Sequence, residues 1–71
     1  MGHRVESELV ANVISVQVAA DQQVAIGDEL VLLESMKMEI PVLCETSGTV
    51  TEVAVKPGDV IQAGDLIAVI D

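Results

Sequence analysis

Seventy-one residues, 51% of them hydrophobic, with a net charge of −9, describe one small acidic domain. The apolar bulk is thirteen Val, six Ile and six Leu with no Phe, Tyr or Trp, in a chain that buries only roughly 60% of its unfolded surface. Nucleic-acid binding and adhesion to anionic lipid are excluded, because basic patches and stacking rings are both missing.

The single cysteine, Cys44, rules out an internal disulfide and a multi-Cys zinc site and points to a reducing compartment. The N-terminal stretch, with His3 and Arg4, has no apolar signal core behind it; it is short enough for a disordered end to stay open, and its lone His is no metal site. The apolar runs Leu30–Leu33 and Leu66–Ile70 fall far short of the roughly 20 residues of a membrane span. A cytoplasmic chain is expected.

Along the chain, Ile14, Val16 and Val18 alternate with Ser15, Gln17 and Ala19, the period of a half-buried strand. A turn follows at Ala20-Asp21, another at Gly27-Asp28, and then the run Leu30–Leu33. A second run, Ile40–Leu43, contains Pro41, whose missing N–H places it on a sheet edge or at a strand end. Cys44 has no histidine near it in sequence and reads as a small apolar residue, partly buried. After Ser47-Gly48, the residues Thr51, Val53 and Val55 alternate with Glu52, Ala54 and Lys56. Turns at Lys56-Pro57-Gly58-Asp59 and Gly64-Asp65 separate the last runs. Asp21, Asp28, Asp59 and Asp65 thus follow turn logic and do not form a calcium loop. No stretch carries a helical stripe. The class is all-β, with seven or eight short strands in two facing sheets.

The chain also repeats itself. A shift of 37 positions aligns residues 11–34 with residues 48–71 without a gap. Val13/Val50, Val16/Val53, Val18/Val55, Gly27/Gly64 and Asp28/Asp65 are identical pairs. They fall on apolar positions and on one turn, so they describe a common shape, two half-domains related by a pseudo-two-fold axis. Two copies are too few for a solenoid. One domain over residues 1–71 is expected, with a special hairpin at residues 35–39 between the halves.

That hairpin breaks local rules. Glu34-Ser35-Met36-Lys37-Met38-Glu39 must reverse the chain, yet it has none of the Asn-Gly, Asp-Gly or Gly-Gly pairs that make tight hairpins. Lys37, one of three basic residues, stands between two methionines flanked by glutamates. Residues that disobey turn chemistry at a turn are candidates for function. A lysine between flexible apolar side chains suits presentation of an amine to a partner's pocket. A solvated loop lysine beside two core-filling methionines accounts equally well for the same residues.

Glu34-Ser35-Met36-Lys37-Met38 resembles the Glu-Ala-Met-Lys-Met signature of biotinyl domains, the biotin carboxyl carrier family. Gly48-Thr49-Val50, Val53, Val55, Gly58-Asp59, Val60, Gly64-Asp65 and Leu66 are similar to its second half, so the resemblance runs from about Val10 to Asp71. It is nearest to the freestanding biotin/lipoyl attachment proteins. The resemblance implies a flattened barrel-sandwich of two four-stranded antiparallel sheets, with the modified lysine opposite the chain termini. Two departures stand out: Ser35 replaces the usual Ala, and Asp21 occupies the place of Gly58 in the first half.

The resemblance further implies that biotin is the cofactor, attached covalently to Lys37 by a biotin protein ligase. Glu34, Met36 and Met38 would be read by that ligase, while Glu39 is better explained as a solvated strand flank. Biotin carboxylase and carboxyltransferase subunits of an acyl-CoA-type carboxylase would be the further partners. The chain itself would be a non-catalytic carrier that binds no metal. Three other readings share the fold: a lipoyl carrier, an unmodified adaptor, and a biotinylated reserve or regulatory protein. Lipoyl domains resemble one another in placing Asp before the lysine, whereas this chain has Met36.

Overall fold

The computed structural model describes residues 2–71; Met1, the head of the expected domain, lies outside them. The elements are β1 (His3–Glu6), β2 (Ala11–Val16), β3 (Gln23–Val24), β4 (Glu29–Ser35), β5 (Met38–Leu43), β6 (Gly48–Val53), β7 (Val60–Ile61) and β8 (Leu66–Ile70). They form two antiparallel four-stranded sheets, in the orders β1-β8-β6-β3 and β5-β4-β2-β7. The all-β barrel-sandwich is therefore the fold of this chain.

The offset of 37 residues maps β2, β3 and β4 onto β6, β7 and β8, and it also maps β1 onto the end of β5. Each sheet is thus the image of the other, strand for strand. Hydrogen bonds that extend the strand pairing within each sheet come in the same pairs. Val13 N–H donates to the Asp59 carbonyl as Val50 N–H does to that of Gln22, both at 2.8 Å. Gln17 N–H donates to Leu30 and Ala54 N–H to Ile67, again both at 2.8 Å.

The N-terminal stretch is the first place where the structure goes beyond the sequence. It is no disordered end: His3–Glu6 forms edge strand β1 against β8, with His3 opposite Ile70. Val5 alone turns inward there, so the segment has no alternating pattern to read. The phase of β2 is the second. A bulge between Val13 and Ser15 leaves Ile14 38% exposed, while Ala11 and Val13 face the core. The equivalent bulge in β6, between Val50 and Glu52, turns Thr51 outward. A bulge inserts one unpaired residue and reverses the side-chain phase, which alternation alone does not reveal.

Two clusters fill the space between the sheets. Val13, Val31, Leu33, Ile61 and Ile67 make one; Val24, Leu30, Cys44, Val50 and Ile70 make the other. Leu33 and Ile70 are equivalent positions, as are Val13 and Val50. Cys44 is buried at 2%, and its thiol donates to the Thr46 carbonyl; its equivalent, Ser7, donates in the same way to the Leu9 carbonyl. Pro41 lies on edge strand β5, where a missing N–H costs no ladder bond.

The turns obey the residues in them. Asp21 holds φ at 74° where its counterpart Gly58 holds 94°, so the Asp accepts the left-handed backbone that the resemblance assigns to glycine. The carboxylates of Asp28 and Asp65 each accept an N–H three residues back, from Ala25 and Gln62, at 2.9 Å. Gly48 is required for a different reason: a Cβ there would sit 2.6 Å from the Asp71 carbonyl oxygen.

Candidate functional site

Strands β4 and β5 pair with Ser35 opposite Met38 and Glu34 opposite Glu39. Only Met36 and Lys37 remain to make the turn, which is tighter than the expected 35–39 segment. Met36 has φ of 53° and Lys37 of 66°. Positive φ at both central residues is the signature of the type I′ turn, whose twist matches that of the flanking strands. Asn and Gly adopt it readily; a residue with a long side chain pays about 1–2 kcal/mol for each left-handed position. The strands on either side, packed through Leu33 and Ile40, hold the turn in this shape.

The turn stands at one pole of the molecule. Strand β2 runs away from the hairpin, from Asn12 beside Glu34 to Val16 beside Val31, and the chain continues to Gln22, whose carbonyl accepts from Val50. Val50 in turn lies opposite Ile70, which pairs with His3. The hairpin and the chain ends therefore occupy opposite poles of a body 32 Å long. In the repeat, the ends take the place that this turn takes between β4 and β5.

Lys37 is exposed, and its side chain enters no hydrogen bond or ion pair among the described residues. Met36 is 90% exposed and Met38 62%, so neither methionine fills the core. Core packing is thereby removed as an explanation of the Met pair. Glu34 and Glu39 are both exposed and face each other across the strands two rungs below the amine. Asn12 flanks Glu34 on the other side, an exposed polar neighbour that only the strand register brings to the site.

A groove of about 530 Å³ opens between the edge strands β1 and β5, lined by His3, Arg4, Pro41 and Leu43 among others. Lys37 is not part of it. Among the described residues no three His, Cys, Asp or Glu side chains gather to hold a metal ion. The chemistry on offer is thus one accessible primary amine on a convex tip, free of competing partners and framed by two thioethers. Such an amine fits covalent attachment of a carboxylic-acid cofactor, which needs a nucleophile that another protein's active site can enclose.

The model of the family described as "Biotin-requiring enzyme" matches residues 2–70. The chain belongs to that family. Over 70 residues it is 60% identical to the "Biotinylated protein TB7.3 homolog" of Mycobacterium leprae, covering 99% of each chain. It is also 41% identical over 67 residues to the "Biotin-dependent acyl-coenzyme A carboxylase alpha3 subunit" of the same organism, spanning 94% of this chain and 11% of that one. The crystal structure of the Kluyveromyces lactis urea carboxylase contains a domain that superposes with a TM-score of 0.92. That domain is 34% identical, matching all of this chain and 6% of the enzyme. The biotin carrier domain is thus homologous to the biotinyl domains of carboxylases, its family's cofactor is biotin, and the domain is not itself catalytic.

Proposed function

We propose that Lys37 is the biotin attachment point, modified by a biotin protein ligase, and that the loaded chain serves a biotin-dependent carboxylase of the acyl-CoA type. The observation that carries this reading is the strained two-residue turn that holds an unpartnered Lys37 between two exposed methionines. Strain at a turn persists only where the surrounding structure enforces it, and family membership supplies the use to which such a lysine is put.

The deprotonated Nζ of Lys37 attacks the acyl carbon of biotinyl adenylate. A C–N bond forms as the C–O bond to AMP breaks, and the amine's proton passes to solvent. The ammonium becomes a neutral amide, so the product carries one unit more negative charge than −9. Met36 and Met38 present apolar, adaptable surface to the ligase, with Glu34 beside them as a charged contact. Biotin, when bound, supplies a ring nitrogen that takes up and releases a carboxyl group. The chain's own part is delivery: a long mobile lysyl stem on a rigid pole raises the effective concentration of that group at a carboxylase site and a carboxyltransferase site in turn. A lone cysteine kept as a buried thiol agrees with a cytoplasmic setting.

Intact-mass measurement of the protein from biotin-fed cells, beside a Lys37→Ala control, tests the attachment. A gain of one biotinyl group that disappears in the control is expected. No gain, even with added ligase, ATP and biotin, overturns the reading in favour of an unmodified adaptor. A lipoyl mass instead would mean that Met36 does not discriminate between the two carriers.

A further inference from the structure

We infer that Met36 and Met38 are a methionine-oxidation site that closes Lys37 to its ligase. The inference rests on the proposed attachment at Lys37, and its chemistry can be read independently of it.

Peroxide-class oxidants attack thioethers and thiols according to their access. Here the single thiol is sealed: Cys44 is 2% exposed and its Sγ is committed to the Thr46 carbonyl. There is no Trp or Tyr in the chain. Against this, Met36 is 90% exposed and Met38 62%, and they bracket Lys37 directly. The backbone puts them there by necessity. A turn of two residues with positive φ lifts the Met36 side chain clear of the sheets, and Met38 is the first residue of β5.

Hydrogen peroxide transfers one oxygen to each sulfur, giving methionine sulfoxide and water. The sulfur is oxidised, the peroxide oxygen is reduced, and no other bond in the chain changes. The product replaces a soft apolar group with a polar, chiral one. A partner that reads these positions by apolar contact loses that contact on both sides of the amine. The modification is reversible by the two methionine sulfoxide reductases, one for each sulfoxide epimer. Attachment thereby becomes sensitive to oxidant at a point several bonds away from the reacting nitrogen.

The test treats the full chain with hydrogen peroxide, removes the excess with catalase, and follows two readouts. The first is peptide mass. Trypsin cuts after Arg4 and Lys37 and not at Lys56-Pro57, so Met36 and Met38 fall in separate peptides, each distinct from the one with Met1. One added oxygen is expected on peptide 5–37 and one on peptide 38–71, with the Cys44 thiol unchanged. The second is the initial rate of ligase-dependent biotinylation, expected to fall about tenfold or more. Both sulfoxide reductases, with a thiol reductant, should restore it. An oxidised chain that biotinylates at the untreated rate, or methionines that resist peroxide while Cys44 reacts, overturns the inference. An untreated chain that accepts no biotin fails the attachment at Lys37 instead, and the peptide masses still report the oxidation. A Met36→Leu, Met38→Leu double variant, compared with its own untreated rate, should show no peroxide effect.

Discussion

Two kinds of turn hold this fold together, and they are built from opposite materials. At the Gly27-Asp28 and Gly64-Asp65 turns, glycine takes the positive φ and an aspartate carboxylate caps an N–H three residues back. Every residue there lowers the cost of the shape it adopts. The Met36-Lys37 turn has the same demand for positive φ, at two successive positions, and meets it with two long side chains and no side-chain hydrogen bond. The difference separates turns that help specify the fold from a turn that the fold is made to support. It also says where stability and function pull apart.

The support should be measurable first, because its effect is the largest. Leu33→Ala, beneath the hairpin, is expected to cost about 3 kcal/mol by urea unfolding, and Ile70→Ala, its counterpart near the chain ends, about as much. A gap between the two of more than about 1.5 kcal/mol would show that the poles are not energetic equivalents. Next, the double change Met36→Asn with Lys37→Gly should raise stability by about 1–2 kcal/mol, read as a higher thermal midpoint, while abolishing biotin acceptance. An unchanged or lower midpoint would mean the native turn is not strained.

The helpful turns should respond in the other direction. Asp65→Ala removes a carboxylate that caps Gln62 N–H and should destabilise by about 1 kcal/mol in the same urea assay, with Asp28→Ala alike. Indifference to either change would take the cap out of the account of these turns. The smallest effect belongs to the two carboxylates that face each other under the lysine. Glu39→Gln should stabilise by about 0.3 kcal/mol, a gain that shrinks as salt is raised. A loss there would mean that Glu39 has a favourable partner at the tip.

Much of this was legible in the residues. The paired valines and Gly-Asp turns disclosed the internal symmetry, because half-domains of one shape must repeat their core and turn positions. Strand β1 was not legible, since His3, Arg4 and Glu6 face solvent and Val5 alone reports the core. Nor were the bulges: Ile14 and Thr51 continue an alternating pattern that the backbone interrupts with one extra residue. At the site, the lysine and its methionines stood out as an absence of proper turn residues. What the sequence did not supply was the exact turn, the facing of Glu34 and Glu39, and the approach of Asn12, all consequences of strand register.

The arrangement of the two poles bears on how such a domain travels. Gly2 lies against Ile70 and Asp71, so both described ends of the chain leave from one place, at the pole opposite the amine in a body 32 Å long. A neighbour joined at either end meets only the far pole. The body between then acts as a boom, stiff enough to hold the lysine clear of whatever it is mounted on. The same architecture recurs as a small module within a carboxylase many times its size, where a mounting at the far pole would likewise leave the hairpin clear.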